Sequence, residues 1–240
     1  MRVWFITGAS RGFGALIAEA ALKAGDAVVA TARDPSTVTA RLGSHERLLA
    51  TRLDVTSEAE AHEAAGQAVK RFGRIDILVN DAAYNKSIPF DDLDSLTLDV
   101  WDKIMAVNLT GPMRLIKAVA PIMKAQRAGR IVNISSTAGL GPSGSSIAYA
   151  VSKAGLIHLT RCFAVGLAPQ TLVNCVAPGL LEGTRATANL GPEQIERSTA
   201  SSLLKQAADK DDCAEMVVTM CRTDTMTGQT VVIDAGRVFH

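Results

Sequence analysis

Two residues four apart, Tyr149 and Lys153 in Ala148-Tyr149-Ala150-Val151-Ser152-Lys153, carry the most chemical information in this 240-residue sequence. On a helix that spacing stacks a phenol and an ammonium on one face. A free tyrosine ionises near pH ~10. A fixed positive charge beside it favours the phenolate and makes the side chain a usable proton donor and acceptor near neutrality. This would be acid–base chemistry without histidine, and the scattered His45, His62, His158 and His240 read as surface or packing residues. On an exposed helix the same pair would be a solvated contact, so its surroundings decide its meaning.

Short β-rich runs at 3–7, 27–32, 48–53, 75–80, 129–135, 171–177 and 231–234 alternate with amphipathic stretches at 12–24, 57–72, 100–126, 147–167 and 209–221. Strands with little polar alternation, separated by helices, predict a doubly wound α/β fold of the Rossmann type: a parallel seven-stranded sheet with helices on both faces. In such sheets ligands bind beyond the carboxyl ends of the strands, where strand order reverses. The residues following strands one, three, four, five and six there are Gly8–Gly14, Asp54, Asn80, Ser136 and Pro178-Gly179.

The length suits a single domain over 1–240, and 48% hydrophobic content is enough for a sizeable core. A formal net charge of +1 gives no reason to expect nucleic acid as a partner. No segment approaches a membrane span. Cys162, Cys175, Cys213 and Cys221 lack metal-ligand spacing and read as reduced thiols, which fits a cytoplasmic protein with no metal site and a small-molecule partner.

Thr7-Gly8-Ala9-Ser10-Arg11-Gly12-Phe13-Gly14 links the first strand to the first helix. Its glycines permit a tight turn and close approach of backbone to a pyrophosphate at the helix N-terminus. The second strand ends Thr31-Ala32-Arg33-Asp34, with Ala32 where a carboxylate for a ribose 2′-hydroxyl is usual. Arg33 and Arg11 could clamp a 2′-phosphate, so NADP(H) is the expected cofactor. A one-residue shift of the strand end would bring Asp34 to the ribose instead, which keeps NAD(H) possible.

With these elements in order, followed by Asp54-Val55, Asn80-Asp81-Ala82-Ala83, Asn108, Ser135-Ser136, Tyr149-x-x-x-Lys153 and Asn174-x-Val176-x-Pro178-Gly179, the chain resembles the short-chain dehydrogenase/reductase family in its compact form. The resemblance implies hydride transfer between a nicotinamide cofactor and a ketone or secondary alcohol. Tyr149 would be general acid and base, and Lys153 would hold the nicotinamide ribose and favour the phenolate. Ser136 would bind the carbonyl oxygen, with Ser135 structural, and Asn108 would help hold a water beside the lysine. A polar residue inside a helix can equally be a packing feature. Asp54 and Val55 would meet the adenine, although an acidic residue there could instead cap the next helix. Gly8, Ser10, Arg11, Gly12, Phe13, Gly14, Arg33, Asn80, Ala82, Pro178, Gly179, Leu181 and Thr184 complete the implied cofactor contacts.

The sequence departs from the family in three places. Asp81 and Ala83 replace an amide and a glycine, and alanine would be strained at 83 if the backbone there needs positive φ. Gly183 stands where the family often has threonine, leaving that role to Thr184. Asp234-Ala235-Gly236 carries alanine for one glycine. Residues 180–205 correspond to the substrate lid, where Leu180, Leu181, Leu190 and Leu203 mix with Glu182, Arg185, Glu193, Glu196 and Arg197. Such mixed polarity suits a small or medium ketone or alcohol. A 3-oxoacyl carrier-protein reductase-like enzyme and an NAD-dependent alcohol dehydrogenase are alternatives, as is a non-catalytic NADP-binding regulatory protein. The resemblance further implies a homotetramer or homodimer.

Overall fold

A computed structural model of the chain describes residues 1–183 and 192–239. Among the described residues seven strands form one parallel sheet: β1 (Val3–Ile6), β2 (Ala27–Ala32), β3 (Leu48–Arg52), β4 (Ile77–Asn80), β5 (Gly129–Ile134), β6 (Thr171–Pro178) and β7 (Thr230–Ile233). Their order is β3-β2-β1-β4-β5-β6-β7, so the chain reverses direction across the sheet between β1 and β4. A crevice at that reversal is the expected ligand position in an open α/β sheet.

The helices are α1 (Gly12–Lys23), α2 (Ser36–Leu42), α3 (Glu58–Phe72), α4 (Leu98–Met105), α5 (Gly111–Gln126), α6 (Ile147–Leu167), α7 (Pro192–Ala200) and α8 (Lys210–Met220). Period-two alternation divides the central strand between two cores. Trp4 and Ile6 pack with Ile17 of α1, Val38 of α2 and Val217 of α8, whereas Val3 and Phe5 pack with Ala64 of α3, Leu115 of α5 and Ala164 of α6. Both faces are covered, which is why the strands read as nearly continuous apolar runs.

Local chemistry sets the helix starts. Ser57, Thr97, Ser146 and Asp209 cap α3, α4, α6 and α8, each accepting from a backbone N–H of the first turn. Ser57 therefore holds the cap that Asp54 could have taken. Two expectations are corrected here. The short α2, which buries only Val38, escaped the periodicity reading. The continuous helix expected over 100–126 is interrupted by a π-helical segment at Ala106–Thr110. Pro112, just beyond it, has no N–H to return to the carbonyl of Asn108, four residues back, which favours the wider turn without dictating it, since α5 runs on through Pro121.

Candidate active site

The loop between β1 and α1 is shaped by two close approaches. A Cβ on Gly8, whose φ is +70°, would lie 3.0 Å from Ala82 Cα, and one on Gly14 would lie 2.8 Å from the Gly8 carbonyl oxygen. Gly12, at φ +61°, has nothing within 4 Å of its Cβ position. The loop thus presents an open cradle at the N-terminus of α1, and the N-cap residue Arg11 makes no side-chain cap there. Backbone N–H groups and the helix dipole suit this cradle to a pyrophosphate, so the residues present fit a dinucleotide. Ser10 lies half-buried on the loop, whereas the Phe13 side chain is 5% exposed in the core, leaving Phe13 only its backbone to offer a cofactor.

Arg11 and Arg33 are both exposed. β2 ends at Ala32, and the exposed Asp34 has its Oδ1 engaged locally, accepting from Ser36 N at 3.0 Å and Ser36 Oγ at 2.7 Å. Those bonds, the side-chain one foremost, hold its carboxyl below the usual range. Arg52, which the sequence reading passed over, lies beside Ala32 across β2 and β3 and donates to the Arg33 carbonyl at 2.9 Å. Arg33 and Arg52 therefore share this edge, with Arg11 on the phosphate loop. Asp54 accepts from Thr56 Oγ1 at 2.7 Å and Thr56 N at 2.9 Å, and these bonds depress its pKa. Val55 is 9% exposed and packs against Gly111.

At β4, Asn80 is turned inward rather than into the crevice. Its Nδ2 donates to Asn133 Oδ1 at 2.8 Å, and Asn133 Nδ2 donates to Thr160 Oγ1 at 3.0 Å, tying β4 and β5 to α6. Thr7 Oγ1 accepts from the N–H groups of Asp81 and Ala82, both at 3.0 Å, fixing the end of β4 against the end of β1. Ala83 is not in the left-handed region, so alanine is unstrained there. The strained position is Ala235, at φ +57°.

Ser146 accepts from Tyr149 N at 3.2 Å, placing Tyr149 in the first turn of α6 and Lys153 one turn later. Lys153 is 3% exposed; its Nζ donates to the Ile134 carbonyl at 2.8 Å and lies 5.6 Å from the Tyr149 ring centroid. Ser135 Oγ donates to the Lys153 carbonyl at 2.8 Å, while Ser136 is half-buried and its Oγ accepts from Ala138 N at 3.2 Å in the turn that follows. That turn sits tightly on α6, since a Cβ on Gly139 would lie 2.6 Å from the Lys153 carbonyl carbon. Gly139→Ala is expected to cost about 1–3 kcal/mol by overpacking against backbone. Thermal denaturation checks this, and an unchanged melting temperature would contradict it.

Asn108, 1% exposed, lies in the π-helical segment. Its Nδ2 donates to the Tyr84 carbonyl at 3.0 Å and Ser152 Oγ at 3.1 Å, and its Oδ1 accepts from Tyr84 N at 2.8 Å. It clamps the loop after β4 onto α6 beside Lys153. Pro178 ends β6, and the next residue, Gly179, donates its N–H to the Ile233 carbonyl at 2.9 Å. Leu181 is 8% exposed and belongs to the core. Thr184, Arg185 and Leu190 lie outside the described residues.

The electrostatics reverse one expectation. Burial pushes the Tyr149 phenol up to about 12; a hydrogen bond with Ser136 works in the opposite direction, and Asp81 adds to the rise. Lys153 alone would favour the phenolate, but desolvation dominates, so the phenol is neutral across the physiological range. Burial likewise brings the Lys153 ammonium down to about 8, against opposing pulls from Asp81 and Cys175. It pushes the Asp81 carboxyl up to about 7, against Lys153 and the Gly14 N–H.

A family model described as enoyl-(acyl carrier protein) reductase matches residues 8–237. The chain is similar to dehydrogenase/reductase SDR family member 4 of Pongo abelii, at 33% identity over 98% of this chain and 87% of that protein. It is also similar to the rhamnolipids biosynthesis 3-oxoacyl-(acyl-carrier-protein) reductase of Pseudomonas aeruginosa, at 32% identity over 100% of this chain and 96% of that protein. Among solved structures, a gluconate 5-dehydrogenase from Burkholderia cenocepacia, in complex with NADP and tartrate, matches with a TM-score of 0.90 and 27% identity, covering 98% of this chain and 94% of that one.

Proposed function

This chain belongs to the short-chain dehydrogenase/reductase family, an oxidoreductase family that works with NAD(P)(H), and we propose that it interconverts a ketone and a secondary alcohol with NADP(H). The observation that carries the proposal is the convergence of Ser136, Tyr149 and Lys153 at the same sheet edge as an open phosphate cradle.

What the dinucleotide supplies when bound is hydride, and the chain supplies the proton and the frame. Gly8, Ser10, Gly12 and Gly14, with the backbone of Phe13, hold the pyrophosphate; Asp54, Val55, Ala82 and the backbone of Asn80 border the adenosine half. Pro178, Gly179 and Leu181 border the nicotinamide half, a role the family resemblance also gives to Thr184, which lies outside the described residues. Ser136 Oγ donates to the substrate carbonyl oxygen, and Tyr149 gives that oxygen its proton as negative charge develops there. A phenol held near 12 stays protonated at neutrality and is therefore present in the form that donates, while the net direction is set by the cofactor and substrate ratios. Lys153 holds the nicotinamide ribose hydroxyls. Asn108 keeps α6 in place beneath them and, with its amide nitrogen already committed to Tyr84 and Ser152, has only acceptor capacity left for a proton relay.

The preference for NADP(H) rests on Arg11, Arg33 and the neighbouring Arg52, and on the engagement of Asp34 by Ser36. Replacing Arg11 and Arg33 together by alanine is expected to lower catalytic efficiency with NADPH on the order of tenfold or more while changing that with NADH far less. Steady-state rates with both cofactors check this; a wild-type protein that uses NADH more efficiently contradicts it. An NADPH-consumption screen over a ketone panel tests the activity itself. The name of its Pseudomonas aeruginosa relative makes 3-oxoacyl thioesters the first compounds to include.

We place the protein in the cytoplasm as one compact domain over 1–240, with residues 180–205 as the lid, and as a homodimer or homotetramer. No helix among the described residues is long and apolar enough to cross a membrane. Val165 on α6 is 82% exposed in the single chain, an apolar residue that α5–α6 packing between subunits would cover. Light scattering tests the assembly.

A further inference from the structure

Asp81 is a charged group for which the proton-transfer scheme has no use. Its carboxylate lies at the N-terminus of α1: the Cβ position of Gly14, third residue of that helix, is 2.7 Å from Asp81 Oδ2, and the Gly14 N–H hydrogen-bonds to the carboxylate. No acidic residue stands in the first turn of α1, and Arg11 provides no cap. Asp81 therefore caps the helix from another strand, held in place by the Thr7 bonds to its own N–H and to that of Ala82. The remaining ionisable groups around it are on two elements. Lys153 and Tyr149 come from α6, and Cys175 of β6 acts in turn on Lys153. Arg11, the charged residue of the phosphate loop, is exposed.

A carboxylate at this helix end and a pyrophosphate in the cradle beside it are two anions competing for one set of N–H donors and one dipole. We propose that Asp81 is a proton-linked positioning residue of the phosphate loop, capping α1 as a carboxylate in the free protein and taking up one proton from solvent when a dinucleotide binds. The inference rests on the dinucleotide reading of the loop. Neutralisation keeps one oxygen as acceptor for Gly14 N–H and removes the repulsion. With the free carboxyl already pushed up to about 7 by burial, the proton is available under ordinary conditions. The sign follows from linkage: the protonated form binds more tightly, so affinity is highest at low pH and falls as pH rises through neutrality. The limit is about tenfold per pH unit, for one proton.

Asp81→Asn tests this, because the amide keeps an oxygen for Gly14 and cannot titrate. The dissociation constant of NADH, which lacks a titrating 2′-phosphate, is measured from pH ~6 to ~9 by calorimetry in two buffers of different ionisation enthalpy. The wild-type protein is expected to weaken by up to about tenfold per pH unit above neutrality and to take up close to one proton per NADH at pH ~8. The variant should show a flatter profile and correspondingly less proton uptake. Lys153 titrates in the same range and is coupled to Asp81, so the comparison is repeated in a Lys153→Met background, where the difference in slope and proton uptake made by Asp81→Asn should persist. Equal pH slopes and equal proton uptake in the two proteins overturn the inference while leaving dinucleotide binding intact. Failure of the wild-type protein to bind NADH or NADPH at any pH overturns the dinucleotide reading and the inference with it.

Discussion

Replacing Tyr149 by phenylalanine is expected to reduce the turnover number for ketone reduction by roughly a hundredfold to ten-thousandfold, the range of a positioned proton donor, with dinucleotide affinity held within about twofold. The ring remains to pack in the first turn of α6, where the backbone N–H is fixed by Ser146, and only the hydroxyl is lost. Because burial, moderated by Ser136 and increased by Asp81, places the wild-type phenol at about 12, a pH signature accompanies the loss. Alcohol oxidation needs the phenolate and should accelerate as pH rises toward that value, whereas reduction uses the neutral form and should lack that acceleration. Steady-state rates in both directions, beside a fluorescence titration of NADPH, check both parts. A variant that binds poorly but turns over normally would remove Tyr149 from the chemistry.

Lys153→Met should have an effect of similar size on turnover, and it makes a separate prediction about stability. The ammonium is buried, donates to the Ile134 carbonyl, and titrates at about 8 in the folded protein against 10.5 for the ordinary side chain, chiefly because of desolvation. Between those two values the unfolded chain holds more protons than the folded one, so the wild-type protein gains stability as pH rises from about 8 to 10.5. Methionine removes that gain. The melting temperature of the variant relative to wild type should therefore be most favourable near pH ~7 and lose ground by pH ~10. A difference independent of pH would mean that the ammonium is not desolvated as described.

The features legible in the sequence were those carried by local pattern. Helix α6 ends where the periodicity ended, at Ile147 and Leu167, because Ser146 is a cap that reads as one. The strand runs were found for the same reason, apolar stretches bounded by turn residues, with boundaries that moved by a residue or two. What escaped depends on which strands become neighbours. Asn80 ends a strand at the right edge, but only strand register, which sets it opposite Asn133, gives its side-chain amide an internal partner and leaves its backbone as the part free for a cofactor. Arg52 was passed over because only the pairing of β2 with β3 brings it beside Ala32 and Arg33. The π-helical turn at Asn108 was hidden by amphipathic spacing on either side, and Pro112 does not by itself reveal it, because Pro121 sits inside α5 without interrupting it. The Tyr149–Lys153 spacing correctly put the two groups on one helix face, yet not the sign of the phenol's shift, which is set by burial in the folded crevice.

Hydride transfer to a carbonyl carbon is the central claim, and isotope tracing tests it most directly. Wild-type protein is supplied with NADPH carrying deuterium at the transferable position and with a ketone that passes the screen, and the alcohol is analysed by mass spectrometry and NMR. One deuterium per molecule is expected at the carbinol carbon, in a single configuration, with one NADP formed for each alcohol. An alcohol without deuterium, or no cofactor oxidation with any ketone of the panel, would contradict the assignment.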